Sequence, residues 1–127
     1  MVQMWRRINA NPGKRRVGDC VVRAIAVATG KSWLEVYDDL YRVGRRVFDM
    51  ENSNDVWGRY LYALGFDPFL LPESCPQCVT VKEFCRYFPR GRYIIGTGSH
   101  AVAVIDGDYY DTFDSGGLTP SYFFEVR

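Results

Sequence analysis

A β-hairpin is predicted most clearly by residues 99–114, SHAVAVIDGDYYDTFD. The apolar run Ala101–Ile105 is followed by Asp106-Gly107-Asp108, a sequence typical of a tight turn, and then by the return strand Tyr109–Asp114. This part of the chain therefore belongs to an antiparallel sheet.

The register of this hairpin decides which acid lies near the only histidine of the chain, His100. With Gly107 at the centre of the turn, Asp114 lies directly across from His100, at the distance of a cross-strand neighbour. Asp111 then lies opposite Ala103 and points to the other face. A β-bulge would shift this register, and Asp111 is then the alternative acid for orienting His100.

Upstream of the hairpin the sequence predicts mainly helices. The start signals are Asp19 as an N-cap and two capping boxes, Ser32 with Glu35 and Thr80 with Glu83. Helices are expected over Asp19–Thr29, from Ser32 to about Val47, over Asp55–Leu64 and from Thr80 to Pro89, and further strands at Phe66–Leu71, Arg92–Gly96 and Tyr122–Val126. Helices followed by an antiparallel sheet define an α+β protein.

The 127 residues, with 14.6 kDa, predict one domain over 1–127. The content of 47% hydrophobic and 16% aromatic residues excludes a disordered chain. Since neither an export signal nor a transmembrane run is recognised, we expect a cytoplasmic protein without a membrane partner. Residues 1–18 form an extended basic arm, for which we prefer a solvated state over contact with an acidic partner or nucleic acid.

Cys20 and His100 are the candidate nucleophile and general base. Cys20 opens the most apolar helix, where free N–H groups and the helix dipole stabilise a thiolate. From its position alone, Cys20 is best interpreted as a buried structural cysteine. The presence of His100 at the start of a strand favours the catalytic interpretation instead. An acid behind the imidazole, Asp114 by the register above, would orient it toward the thiolate.

These features resemble the papain-like cysteine peptidases. The likeness rests on Asp19-Cys20 opening an apolar helix, the strand Ser-His100-Ala-Val-Ala-Val and the run Tyr109–Ser115. It is greatest for the bacteriocin-processing peptidase domains of ABC transporters and for small bacterial and phage proteins of that style. The resemblance implies N-terminal helices, with Cys20 at the start of the central one, packed on a C-terminal antiparallel sheet.

Two positions depart from the pattern of the transporter peptidases. Lys14 stands where they have a glutamine that helps form the oxyanion hole, and Val21 stands where they have a glycine. The backbone N–H of Cys20 can still stabilise an oxyanion, helped by Lys14, Gln3 or Asn11.

The spacing of three further cysteines, Cys75, Cys78 and Cys85, matches part of a zinc-binding motif. A structural zinc needs four ligands, and His100 as the fourth would remove the catalytic base. We therefore expect free thiols without a metal, with a labile disulfide between Cys75 and Cys78 as the alternative in an oxidising setting. The expected triad needs no cofactor.

The sequence predicts a cysteine peptidase or isopeptidase that acts on a protein or peptide through an acyl-thioester, in the cytoplasm of a bacterial cell or of the host of a phage. Acyl transfer or deamidation on the same Cys20–His100–Asp114 triad is the first alternative. A non-enzymatic module that binds or inhibits a host partner is the second.

Overall fold

The computed structural model describes residues 4–71 and 79–127, and these residues confirm the α+β class. Cys75 and Cys78 lie outside the described residues, as does Gln3. The helices are α1 (Cys20–Thr29), α2 (Trp33–Val47), α3 (Asn54–Ala63) and α4 (Val81–Tyr87). The strands are β1 (Trp5–Arg7), β2 (Asp67–Leu70), β3 (Arg92–Gly96), β4 (Ala101–Ile105), β5 (Asp108–Asp111) and β6 (Tyr122–Val126).

The strands form a sheet in the order β1-β5-β4-β3-β6-β2. Every pairing is antiparallel except that of β1, which runs parallel to β5 with Trp5 beside Tyr109. Trp5–Arg7 extend the sheet through main-chain hydrogen bonds, while the side chains of Arg6 and Arg7 stay exposed as expected for a solvated arm. Arg6 also forms an ion pair with Asp108 of β5, at 2.9 Å.

The β4–β5 hairpin has a shorter turn than the sequence analysis assumed. Ile105 pairs with Asp108, so only Asp106 and Gly107 lie between the strands, both with positive φ (48° and 81°). These values are typical of a two-residue type I′ turn. The pairing is shifted by one residue from the expected register, and β5 ends at Asp111 rather than at Asp114.

The two faces of the sheet carry two separate hydrophobic clusters. One face packs against α1, α2 and α3, and includes Ile94, Ala101, Ala103 and Phe124. The opposite face packs against α4, so the helices cover both faces of the sheet. The second cluster contains Val81, Phe84, Cys85, Tyr93, Ile95, Val102, Val104, Tyr109 and Phe123. The alternation of neighbours along each strand between the clusters follows from the period of two in a β-strand.

Helix α1 lies at the centre of the first cluster. Six of its ten residues are buried, which agrees with its nearly continuous apolar sequence. The small side chains of Ala101 and Ala103 on β4 face this cluster and leave space for the helix. Gly30 ends α1 in the left-handed conformation, with φ of 78°, as the sequence predicts. In the part of the chain that the structure describes, no helix is both long and apolar enough to cross a membrane.

Candidate active site

The folding of α1 against β4 brings Cys20 and His100 into contact. Cys20 is the first residue of α1, and His100 directly precedes β4. Cys20 and His100 line the same cleft, and each shifts the pKa of the other, so the thiol lies close to the imidazole. A thiol and a potential base thus meet at the interface between helix and sheet, although they are far apart in the sequence.

The acid that contacts His100 is Asp111. His100 Nε2 lies 2.6 Å from Asp111 Oδ2, and the two side chains are 12% and 3% exposed. Since Nε2 is engaged in this way, Nδ1 is the ring nitrogen left for the Cys20 thiol. The site is therefore a continuous chain from thiol to imidazole to carboxylate.

The expected pairing of His100 with Asp114 is not found. Asp114 is exposed and follows β5; it accepts a hydrogen bond from the hydroxyl of Tyr109 and another from the backbone N–H of Gly116. These two bonds lower the pKa of Asp114, the bond from Tyr109 contributing most. Tyr109 belongs to the cluster on the α4 face, whereas Asp111 contacts Arg23 of α1. β5 ends at Asp111, so Asp114 lies outside the hairpin ladder in which the expected pairing was counted.

The Asp111 carboxylate is held by several neighbours besides His100. Oδ2 also accepts a hydrogen bond from the hydroxyl of Ser115 at 2.7 Å, and Oδ1 accepts one from the backbone N–H of Thr112 at 2.8 Å. Arg23 Nη2 lies 3.9 Å from Oδ1. With only 5% of the residue exposed, these contacts fix the carboxylate in the position that orients the imidazole.

Arg23 also contacts Asp19, the residue before the nucleophile. Its Nη1 lies 3.3 Å from Asp19 Oδ1, while Asp19 Oδ2 accepts hydrogen bonds from Asn11 at 3.1 Å and from Trp33 Nε1 at 2.9 Å. Asp19 occupies the N-cap position of α1, but its side chain makes no capping hydrogen bond. The expected role as a side-chain cap is therefore wrong, because the carboxylate is buried in this polar cluster.

The protonation of the site follows from these contacts. Burial opposes ionisation of Cys20, but the neighbouring His100 imidazole, the backbone of Ala101 and the charge of Arg23 together outweigh it and lower the thiol pKa below its usual value of 9.0. For His100, burial also disfavours the charge, but the bonds to Asp111 and Cys20 raise the imidazole pKa to about 9. Both shifts favour a thiolate–imidazolium pair at neutral pH.

The thiol of Cys85 differs from that of Cys20 in the direction of its pKa shift. It is 1% exposed in the cluster beneath α4, and burial raises the pKa of its thiol to about 12. In residues 4–71 and 79–127, no group of three or more His, Cys, Asp and Glu side chains is arranged to hold a metal.

The oxyanion candidates in the described residues are engaged elsewhere. The Lys14 ammonium donates a hydrogen bond to the carbonyl oxygen of Asn9. The Asn11 amide group donates to Asp19 and its oxygen accepts from the backbone N–H of Gly13. The backbone N–H of Cys20 is placed at the helix start, where amides lack an intrahelical acceptor.

A cleft of about 140 Å³ opens in front of the thiol. Asn54 stands in its wall, and its Oδ1 accepts hydrogen bonds from Trp57 Nε1 at 3.1 Å and from the Tyr122 hydroxyl at 2.9 Å. Because the indole N–H can only donate, these bonds fix the orientation of the Asn54 amide. The cleft is lined by Cys20, Val21, Asn52, Asn54, Trp57, Gly98, Ser99 and His100.

Sequence reasoning missed Arg23, Ser115 and Asn54. Arg23 carries a signal that could have been found, because a charged residue three positions after Cys20 in an otherwise apolar helix needs a partner. Ser115 and Asn54 lie in polar segments, where nothing in the sequence marks them.

Comparisons with known proteins identify no relative. No family model, curated protein or solved structure matches this chain significantly. The functional argument therefore depends on the geometry of the site.

Proposed function

We propose that this protein is a papain-like cysteine hydrolase, a peptidase or isopeptidase that acts on a protein or peptide without a cofactor. The observation that carries the proposal is the position of the His100 imidazole, between the Cys20 thiol and the Asp111 carboxylate 2.6 Å away. A nucleophile, a base and an orienting group in this order form the working unit of thiol hydrolases. The nucleophile at a helix start and the base directly before a sheet strand also agree with a papain-like arrangement.

The reaction follows from the charges in the site. The Cys20 thiolate attacks an acyl carbonyl: the S–C bond forms, and an electron pair moves to the carbonyl oxygen. When this intermediate collapses, the bond to the leaving group breaks and the His100 imidazolium supplies the proton. His100 then takes a proton from water as the water attacks the thioester; the C–S bond breaks, the acid is released, and the thiolate–imidazolium pair is restored. Asp111 holds the imidazole and stabilises its positive charge.

We also propose that the protein acts in the cytoplasm of a bacterial cell, or of the host cell if it is encoded by a phage. Acyl transfer and deamidation share the first half of this reaction, and differ in the nucleophile that attacks the thioester or in the leaving group. A non-enzymatic binding module requires no activated thiol.

Reaction with p-nitrophenyl acetate tests the proposal. The native protein is expected to release nitrophenolate and to gain one acetyl group on Cys20, with slow hydrolysis afterwards, as followed by absorbance and by intact mass. Cys20→Ala should abolish the acetylation and His100→Ala should slow it by about 10²–10⁴-fold. A Cys20 thiol that reacts no faster than free cysteine at neutral pH would overturn the proposal in favour of the binding module.

A further inference from the structure

A second cavity adjoins the cleft at Cys20. It has a volume of about 350 Å³, in the range of pockets that hold small ligands or side chains. The cavity and the cleft share Val21 and Asn52 in their walls, so the two spaces are neighbours. A chain bound with its carbonyl at Cys20 can place an adjacent side chain in this cavity.

Two aromatic rings form one wall of the cavity. Trp33 and Tyr37 stack with their ring centres 4.9 Å apart and their planes at 14°. The hydrogen bond from Trp33 Nε1 to Asp19 holds the indole in place. Since the facing sides of the two rings are stacked on each other, what they offer a ligand is an apolar surface that covers the methylene chain of a basic side chain.

The cavity also presents a carboxylate without a counter-charge. Glu51 lines it, and none of the ion pairs within the described residues includes Glu51. Asp19 lines the cavity too, but its carboxylate is already engaged by Asn11, Trp33 and Arg23. The charge left to meet a ligand is therefore the negative charge of Glu51.

We propose that the cavity formed by Trp33, Tyr37 and Glu51 is a subsite for a lysine or arginine side chain of the substrate, close to the bond that is cleaved. The inference rests on the proposed function and adds its substrate class. The ammonium or guanidinium pairs with Glu51, and the methylene stem lies along the aromatic wall.

Pairs of peptide acyloxymethyl ketones that differ only in lysine or norleucine provide the test. The two side chains differ by the ammonium group, and the lysine is placed in turn at each of two positions before the ketone. We expect Cys20 to be alkylated about tenfold faster by the lysine peptide at one of the two positions. In Glu51→Gln this preference should fall to about twofold, with the norleucine rate unchanged. Glu125→Gln, which alters a carboxylate of β6 outside the cavity, should keep the full preference.

Three outcomes show whether the subsite proposal or the hydrolase proposal fails. Equal rates for the lysine and norleucine peptides at both positions, with Cys20 reactive, overturn the subsite and leave the hydrolase proposal standing. A lysine preference that survives in Glu51→Gln also overturns it. If Cys20 reacts with neither peptide, the hydrolase proposal fails. Fluorescence polarisation of the labelled lysine and norleucine peptides with Cys20→Ala then decides the subsite, and equal affinities overturn it.

Discussion

The guanidinium of Arg23 lies 3.9 Å from the carboxylate of Asp111, at the oxygen that does not contact His100. The same guanidinium lies 3.3 Å from Asp19, so this largely buried cation, 12% exposed, contacts two buried carboxylates. It thereby connects the start of α1, which carries the thiol, with the end of β5, which carries the acid.

Replacement of Arg23 by methionine is expected to destabilise the protein strongly. Removal of one partner from a buried ion pair costs about 3–5 kcal/mol, because the remaining charge loses its compensation. Urea unfolding followed by circular dichroism measures the loss. Arg59→Met is the matched control, since Arg59 pairs with Asp55 on the surface with both side chains 58% exposed, and its loss should stay below about 1 kcal/mol. Equal losses in the two variants would contradict the role of Arg23.

Asp111 and Asp114 should differ in their effect on the reactivity of Cys20. Asp111→Asn can still hydrogen-bond to His100 but cannot stabilise the imidazolium by charge, so acetylation by p-nitrophenyl acetate should slow by about 10²-fold or more. Asp114→Asn is the control, because its carboxylate contacts Tyr109 and Gly116 rather than His100. Its rate should stay within about twofold of the parent, a small difference compared with general acid–base effects. A larger loss of acetylation rate in Asp114→Asn than in Asp111→Asn would show that Asp114, and not Asp111, orients the imidazole.

The rate of acylation should pass through a maximum in its pH profile. It rises with pH as Cys20 ionises, at a pKa below 9.0, since the thiolate is the nucleophile. It falls as the pH passes about 9, because His100 then loses the proton that the leaving group needs. Stopped-flow measurements with a peptide anilide give this profile. In His100→Ala the rate should keep rising to the pKa of an ordinary thiol, and a parent profile of that shape would exclude the ion pair.

Cys20 and Cys85 should differ sharply in alkylation. Iodoacetamide at neutral pH is expected to modify Cys20 in the native protein and to leave Cys85 unmodified, because the latter is buried and its pKa is raised to about 12. Both thiols should react in urea. Peptide mapping by mass spectrometry after short exposures distinguishes the two sites, and early labelling of Cys85 would contradict the packing of α4.

The sequence predicts those parts of the fold that depend on local signals. Thr80 and Glu83 form the reciprocal capping box at α4, and Gly30 ends α1. Ser32 caps α2 as predicted, but the Glu35 side chain bonds to Lys31 instead of completing its box. Each of these signals is contained within a few residues, so the sequence alone can carry it.

The features that the sequence analysis did not predict depend on contacts between distant segments. The parallel pairing of Trp5–Arg7 with β5 leaves no periodic pattern in three residues. The choice between Asp111 and Asp114 depended on whether the turn has two or three residues, and Asp106 and Gly107 form a two-residue turn with positive φ at both positions. A local pattern predicts that a hairpin forms, but its register also depends on how the two faces pack.

The two-residue turn at Asp106 and Gly107 has a consequence for recognising relatives of this protein. Since β4 and β5 are joined so tightly, any insertion between His100 and Asp111 would carry the acid away from the imidazole. The spacing of eleven residues between His100 and Asp111 must therefore stay constant. The segments between Cys20 and His100, in contrast, can lengthen or shorten in loops without moving either side chain. Distant homologues should therefore be sought by an invariant His–Asp interval and a variable Cys–His interval.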